Sequence, residues 1–533
     1  MSALFGKSIW RTTLTISLIV AALIFVWQRH ARPSASANDK GLTVYCAAGL
    51  KPALESIAAQ YTKEVGLSVH FRYGGSGELL SSLVIHPEGD LYIPADSSYA
   101  DDARSKGLVL ERFDLATQQP VLAVAAGNPK HITGFADTKR SDVRFGLPNP
   151  ETASVGRLAK RILTSSGQWN DLSQHILVMK PTVSEIATDL RIGSLDCAVV
   201  WDATLVQMPG LQRVDTPDFA TTRETVTACV LVASKHPTAA LSFSRFLSAS
   251  DRGNKAFATN GFVPIPGDPW SLHPALTVFS GSVNRVAISD LIKNFSAREG
   301  AEVTTVVNGC GILCATMQSL ASTPGAHVPD AYYACDICFV PPVAQLYPEA
   351  VLLTQTPIVI AVPLGNPKHI HSLLDLASPG LRVGICNAEQ SSLGFITKRM
   401  LIRMNIWESV EHNASSQVPT ADLLINQLLV GSLDAAIVYH PNVHLRQDRL
   451  QEIAIDNPAA KAVQPFAIAK DSPNRQLAGR LLSYLQANRS VFADIGFQWR
   501  EDQRPVSSAV LPPIGGDIDS IPSNVLHPPH HAP

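Results

Sequence analysis

The chain has 533 residues, 46% of them apolar and 17% charged, with a formal net charge of −2. Its length exceeds the roughly 250–300 residues at which a single hydrophobic core stops growing, so more than one domain is expected. The composition excludes wholesale disorder, and near-neutral charge without a Lys/Arg stripe excludes nucleic acid as a partner.

Residues 1–40 read as a membrane anchor or signal segment with a linker. Thr12–Trp27 (TTLTISLIVAALIFVW) is an uncharged apolar run, preceded by Lys7 and Arg11 and followed by Arg29, His30 and Arg32. It is a little short for a span of about 20 residues, although Ile9 and Trp10 extend it if Arg11 snorkels. Ala35-Ser36-Ala37 offers an A-x-A cleavage site, so a removed signal peptide is the alternative. That site lies well beyond Trp27 with basic residues between, which favours an uncleaved N-terminal helix in the inner membrane. Both readings export the rest of the chain to the periplasmic, extracytoplasmic side.

From residue 41, strand-like runs alternate with helical patterns. Leu42–Ala47 reads as a strand, and Pro52–Glu64 places Ala53, Leu54, Ile57, Ala58 and Tyr61 at the spacing of an amphipathic helix. Leu67–Tyr73 alternates as a second strand, Gly74–Gly77 (GGSG) turns the chain, Glu78–Ile85 is helical, and Asp90–Ile93 is a third strand. Val121–Ala126, Val143–Leu147, Ala198–Trp201 and Cys229–Ala233 are further strands, closed by a helix at Pro237–Leu247. Such alternation predicts an α/β fold with sheets covered by helices. Pro266–Ala275 (PGDPWSLHPA) reads as a short, stiff linker between domains at 41–265 and 276–500.

The second domain repeats the first. Arg382–Leu401 (RVGICNAEQSSLGFITKRML) aligns with Arg144–Leu163 (RFGLPNPETASVGRLAKRIL), GNPKHI recurs at Gly127 and Gly365, and GSLD recurs at Gly193 and Gly431. A period this long is a duplicated domain, not a solenoid unit of a few dozen residues. Matching strands are expected at Leu276–Phe279, Val303–Val307, Ile358–Val362, Leu381–Cys386, Ala435–Tyr439 and Gln464–Ala469, with a closing helix near Asn474–Ala487. Residues 501–533 are Pro-, Ser- and His-rich and read as a disordered tail, in which His527, His530 and His531 are read as solvated.

Ligands of open α/β sheets bind where strands lead into helix N-termini, whose unpaired N–H groups suit anions. In the first domain this selects Ala47–Pro52, Gly74–Gly77, Asn149–Gly156 and the turn after Trp201, most of them poor in charge and rich in Gly, Ser or Ala. The segments Leu42–Val69, Gly74–Leu83 (GGSGELLSSL), Gly89–Asp96 (GDLYIPAD), Asn149–Leu163 and Gly193–Ala203 (GSLDCAVVWDA) together resemble periplasmic molybdate/tungstate-binding proteins of ABC importers. NGF at Asn260–Phe262 and IGF at Ile495–Phe497 resemble that family's closing motif. The resemblance implies two tandem domains of the type II periplasmic-binding fold. Each would have two lobes with a central mixed sheet flanked by helices and a ligand cleft between them.

The resemblance further implies a tetrahedral oxyanion held by hydroxyls and main-chain amides, delivered to an ABC permease in the membrane. It places the site on Gly49, Gly75, Ser76, Val155, Val183 and Trp201 in the first domain. In the second it falls on Val283, Cys310, Leu393, Ala421 and Tyr439. The family's first-loop serine is Gly49 or Val283 here, so only the backbone N–H remains. Trp201 replaces a phenol by an indole N–H, and Cys310 replaces the turn serine by a weak S–H donor. Neither site is intact, and the first is expected to be the better binder. Ser154 and Ser392 recur at helix starts, where capping is the simplest role.

Cys310, Cys314, Cys335 and Cys338 have metal-compatible spacing, read alternatively as free thiols or a disulfide. Asp96 and Asp336, which recur after the third strand, read as structural caps. There is no G-x-S-x-G, H-E-x-x-H or P-loop, so neither an enzyme nor a resident cofactor is expected. The alternative to a transport receptor is a degenerate tandem sensor or scaffold with another ligand or none.

Overall fold

The computed structural model describes residues 41–513 and 515–526. The apolar Thr12–Trp27 segment and His527–His531 lie outside the described residues. Among the described residues no helix is long and apolar enough to cross a membrane.

Each domain consists of two sheets, one per lobe. In the first lobe of the first domain the parallel trio Leu91–Ile93, Gly41–Ala47 and Ser68–Gly74 is extended by antiparallel Glu224–Leu231, Val109–Gln118 and Val263–Pro264. The second lobe carries five strands in the order Ile176–Lys180, Phe145–Pro148, Cys197–Trp201, Pro120–Ala125 and Leu211–Val214. The chain crosses between lobes at Gln119 and returns ahead of Glu224. Each lobe buries its own apolar cluster, so the lobes are separate cores joined by two crossings.

The second domain repeats this plan with one difference. Its crossing strand, Glu349–Pro363, is unbroken. Residues Ala350–Pro357 pair with Lys461–Ala467 in one lobe, and Ile358–Ala361 pair with Ala436–Tyr439 in the other. The two lobe sheets therefore merge into one of 11 strands.

Strands and helices expected from periodicity form within a few residues of the expected positions, but Val109–Gln118 and Ile176–Lys180 are additional. The tail corrects the sequence reading. As far as Leu526 it is folded onto the second domain: Val506 pairs with Ala350, Leu511 and Ile518 are buried, and Asp519 pairs with Lys461 and Arg500. Its few apolar residues suffice because Glu349–Pro363 offers an unpaired edge, which an extended segment satisfies with backbone hydrogen bonds.

The linker is docked onto both domains. The Asp268 carboxylate accepts from the N–H groups of Gln476 and Leu477 (2.9 Å each), at the start of the Arg475–Ala487 helix. Trp270 packs edge-on against Tyr61 and Phe246 of the first domain. Beside it, Glu299 of the second domain is 3% exposed and receives Arg245 of the first (2.7 Å) and Arg480 of the second (2.7 Å). Burial opposes the charge on Glu299, but the two guanidinium groups outweigh it and hold its carboxyl below the usual range.

Removing one member of a buried ionic network leaves the others uncompensated, typically costing about 3–5 kcal/mol. Glu299→Gln is expected to destabilise the chain by that order, measured as a lower urea midpoint. Because the native pKa is depressed, the stabilisation is present above the ordinary Glu range and fades as pH falls through the native value. An unfolding midpoint equally acid-sensitive in wild type and variant would rule this linkage out.

Candidate functional site

Six strand-to-helix or loop-to-helix turns of the first domain converge on one small cavity. Its lining comprises Ala47, Ala48 and Gly49, then Gly74–Ser76 and Ala95, then Ala153–Val155, Thr182, Val183 and Trp201. All six residues expected as first-domain ligands, Gly49, Gly75, Ser76, Val155, Val183 and Trp201, are thus brought together. Ala47 and Ala153 lie in loops that the strand-end rule selected, whereas Ala95 and Thr182 lie outside them. Only the sheet register brings them beside the others.

The helices Ser76–Ile85, Ser154–Ser165 and Val183–Arg191 begin at this cavity, and Asp202–Gln207 follows directly on Trp201. First-turn N–H groups have no partner within their own helix, so the cavity is a concentration of donors and positive helix ends. No charged side chain lines it. Its volume is about 20 Å³, on the scale of one or two water-sized groups and far below the ~300–1,000 Å³ of organic-ligand pockets.

Individual side chains are held firmly. Ser76 Oγ accepts from Ala95 N–H (3.2 Å), while the Ser76 carbonyl accepts from the Tyr92 hydroxyl (2.7 Å). Thr182 caps its helix reciprocally with Glu185, and Val183, the first residue inside that helix, lines the cavity. Ser154 and Ser392 correct the sequence reading. Each is the first residue inside its helix, follows the N-cap residue (Ala153 or Ser391) and makes no capping bond. Ser154 lines the cavity instead. Asp96 and Asp336 do cap, accepting from Ser98 N–H (2.6 Å) and Cys338 N–H (2.9 Å).

The lobes are closed on each other, and glycine makes this closure sterically allowed. A Cβ on Gly77 would lie 2.4 Å from the Glu151 carbonyl oxygen across the cleft, and one on Gly75 2.4 Å from that of Thr152. The Gly77 N–H donates to the Thr152 carbonyl (2.8 Å), a backbone bond between lobes. The second domain repeats the device: Gly311 N–H donates to the Gln390 carbonyl (3.0 Å), and a Gly311 Cβ would sit 1.9 Å from the Glu389 oxygen. The shared spacing Gly75-x-Gly77 and Gly309-x-Gly311 is the sequence signal that would have found these contacts.

In the second domain Val283, Cys310, Leu393, Ala421 and Tyr439 occupy the corresponding turns and are all buried. Cys335 N–H donates to Cys310 Sγ (3.1 Å), the counterpart of the Ala95–Ser76 bond. All eight cysteines are unpaired, and among the described residues no group of three or more His, Cys, Asp or Glu is arranged to hold a metal ion. The Cys314 thiol donates to the Phe339 carbonyl (2.9 Å).

A model of bacterial extracellular solute-binding proteins matches the chain twice, over residues 42–263 and 276–498. The chain belongs to that family. The family is one of binding proteins, not enzymes, and the tandem arrangement accounts for the internal repeat. A Haemophilus influenzae protein is 29% identical over 229 residues, covering 43% of this chain and 93% of its own. The molybdate-binding protein ModA of Mycobacterium tuberculosis is 26% identical over 259 residues, covering 47% of this chain and 96% of its own. Among solved structures, the periplasmic molybdate-binding protein of Azotobacter vinelandii aligns with 42% of this chain and 99% of its own, at 19% identity and a TM-score of 0.37.

A larger cavity of about 430 Å³ lies between the two domains, lined in part by Arg104, Glu111, Arg298 and Arg480. Most of its charges are already matched: Arg298 pairs with Glu111, Arg480 with Glu299 and Arg112 with Asp101 and Asp114, while Arg104 donates to the Leu110 carbonyl. It offers no uncommitted donor set comparable to the first-domain cleft.

Gly77→Ala is expected to hold the first domain open, because the added methyl meets backbone rather than a movable side chain. Small-angle X-ray scattering should report a larger radius of gyration, with a thermal midpoint close to wild type. An unchanged radius with ligand present would show that the lobes close without this contact.

Proposed function

We propose that the chain is an exported receptor for a small tetrahedral oxyanion of the molybdate/tungstate type, bound in the first-domain cleft and passed to an ABC permease. In this reading Thr12–Trp27 anchors the protein to the inner membrane, with both domains in the periplasm. The observation that carries it is the first-domain cavity: small, closed, lined by helix N-termini and hydroxyls, and without a charged side chain. Neutral N–H and O–H donors suit a compact anion, because they stabilise its charge without the desolvation cost of a buried counter-ion. The molybdate-binding names of the mycobacterial relatives agree with this ligand class.

In this reading Gly49, Val155 and Val183 contribute main-chain N–H groups, Ser76 and Ser154 hydroxyls, and Trp201 an indole edge, while Gly75, whose N–H donates to Glu78 (3.4 Å), lines the cleft without a side chain. Ser76 is the position where a hydroxyl is least replaceable, since its oxygen is already oriented by Ala95.

Calorimetric titration of the full chain with molybdate, tungstate, sulfate and phosphate tests the proposal. One site per chain is expected for molybdate or tungstate, and Ser76→Ala should weaken it by on the order of 10- to 100-fold, the usual worth of a hydrogen bond to a charged group. Since no titratable side chain lines the cleft, affinity should stay flat across pH 6–8. Absence of heat with all four anions would refute the oxyanion reading.

A further inference from the structure

The second-domain cleft differs from the first at several positions that change together. Ser76 becomes Cys310, Ala95 becomes Cys335, Ser98 becomes Cys338, and Ala47 becomes Gly281. The last change explains how the others fit. A Cβ on Gly281 would lie 2.2 Å from Cys335 Sγ and 3.0 Å from Cys310 Sγ. Both sulfurs therefore border the space that the Ala47 methyl fills in the first domain, and methyl and thiols cannot share it. Loss of one side chain has made room for two adjacent thiols in the cleft.

Hydroxyls surround this pair without partners. Tyr439 is 1% exposed and Ser392 0%, and among the described residues neither hydroxyl makes a well-formed hydrogen bond. Tyr439 lies in the electrostatic neighbourhood of the thiols: burial pushes its phenol far up, and Cys335 and Cys310 add to this. Ser392 lies beside Cys310 and Cys338. Burial opposes ionisation of Cys310, but Cys335, Ser392, the Cys335 amide (3.1 Å from the sulfur) and Tyr332 outweigh it and draw the thiol down. Cys335 is pushed up in turn, first by Cys310 and then by burial.

A ligand that satisfies this cleft needs a soft centre for two sulfurs and an oxygen for the two hydroxyls. A bare soft cation meets only the first need, and a hard oxyanion only the second. We propose that the second-domain cleft takes a trivalent arsenic or antimony hydroxide, bonded to Cys310 and Cys335 with its remaining oxygen held by Tyr439 and Ser392. Counted from two thiols, As(OH)3 loses two hydroxyls. Two As–O and two S–H bonds break, two As–S bonds form, and two waters leave. Arsenic stays trivalent and no oxidant is required. The sulfurs are buried with the lobes closed, so the ligand enters while the Gly311–Gln390 contact is open. This rests on the reading of the clefts as ligand sites, applied to the divergent copy.

The test is addition of arsenite to the reduced full chain. Expected are one arsenic per chain by intact mass, a fall of two in titratable thiols, and two As–S with one As–O bond by X-ray absorption. Cys310→Ser and Cys335→Ala restore the first-domain residues, and each should weaken binding about 10²–10⁴-fold by removing one of two attachment points. Cys338→Ser and Cys314→Leu should retain the stoichiometry, and Tyr439→Phe should weaken binding on the order of tenfold with two thiols still consumed. Wild-type absorption spectra decide the coordination even if a variant fails to fold. No bound arsenic, attachment through other cysteines, or loss of two thiols as a disulfide without arsenic would each overturn the proposal. Molybdate titration of the same sample separates the two readings. Arsenic uptake without oxyanion binding removes only the first-domain assignment, and the reverse removes only this one.

Discussion

The architecture depends on backbone N–H groups at helix starts being left without protein partners in a place that can close. An unsatisfied first turn is tolerable in water and costly when buried. A two-lobed domain resolves this by burying those groups only when something fills the gap. The Gly77–Thr152 and Gly311–Gln390 backbone bonds set how near the lobes come. In the first domain separate lobe cores and two crossings permit that approach, whereas in the second the lobes share one continuous core along Glu349–Pro363.

Duplication has preserved this constraint while releasing the chemistry inside it. The glycines, helix starts and carbonyls that meet across the cleft are shared, because altering any one would jam or loosen closure. Side chains facing the cavity are under no such backbone constraint. Ser76 and Trp201 face Cys310 and Tyr439 at equivalent positions, and Ala47 has given way to Gly281 where sulfur needed space. The domains are also joined more firmly than a proline-rich linker suggests. Asp268 caps a helix of the second domain, and Glu299 collects an arginine from each domain. The two clefts are therefore built on a common base.

The sequence by itself determined the duplication, the α/β character and most elements, because strand alternation and helical spacing are local properties of apolar residues such as Leu42–Ala47 and Ala53–Tyr61. It also located Ser76 and Trp201 at turns that meet, since the carboxyl ends of strands in such sheets point one way, while Val183 came only with the family resemblance. Only the tertiary structure decided what lies opposite what. Ser154 and Ser392 look like caps in one dimension, yet the residue before each takes the N-cap position and both hydroxyls turn to the cleft. A tail composed like a solvated segment pairs with an open strand edge, and Cys310 and Cys335, 25 residues apart, become neighbours around a missing methyl. Local patterning records which way a side chain faces along its own element. Proximity across elements is set by register and lobe closure, which no single stretch of sequence encodes.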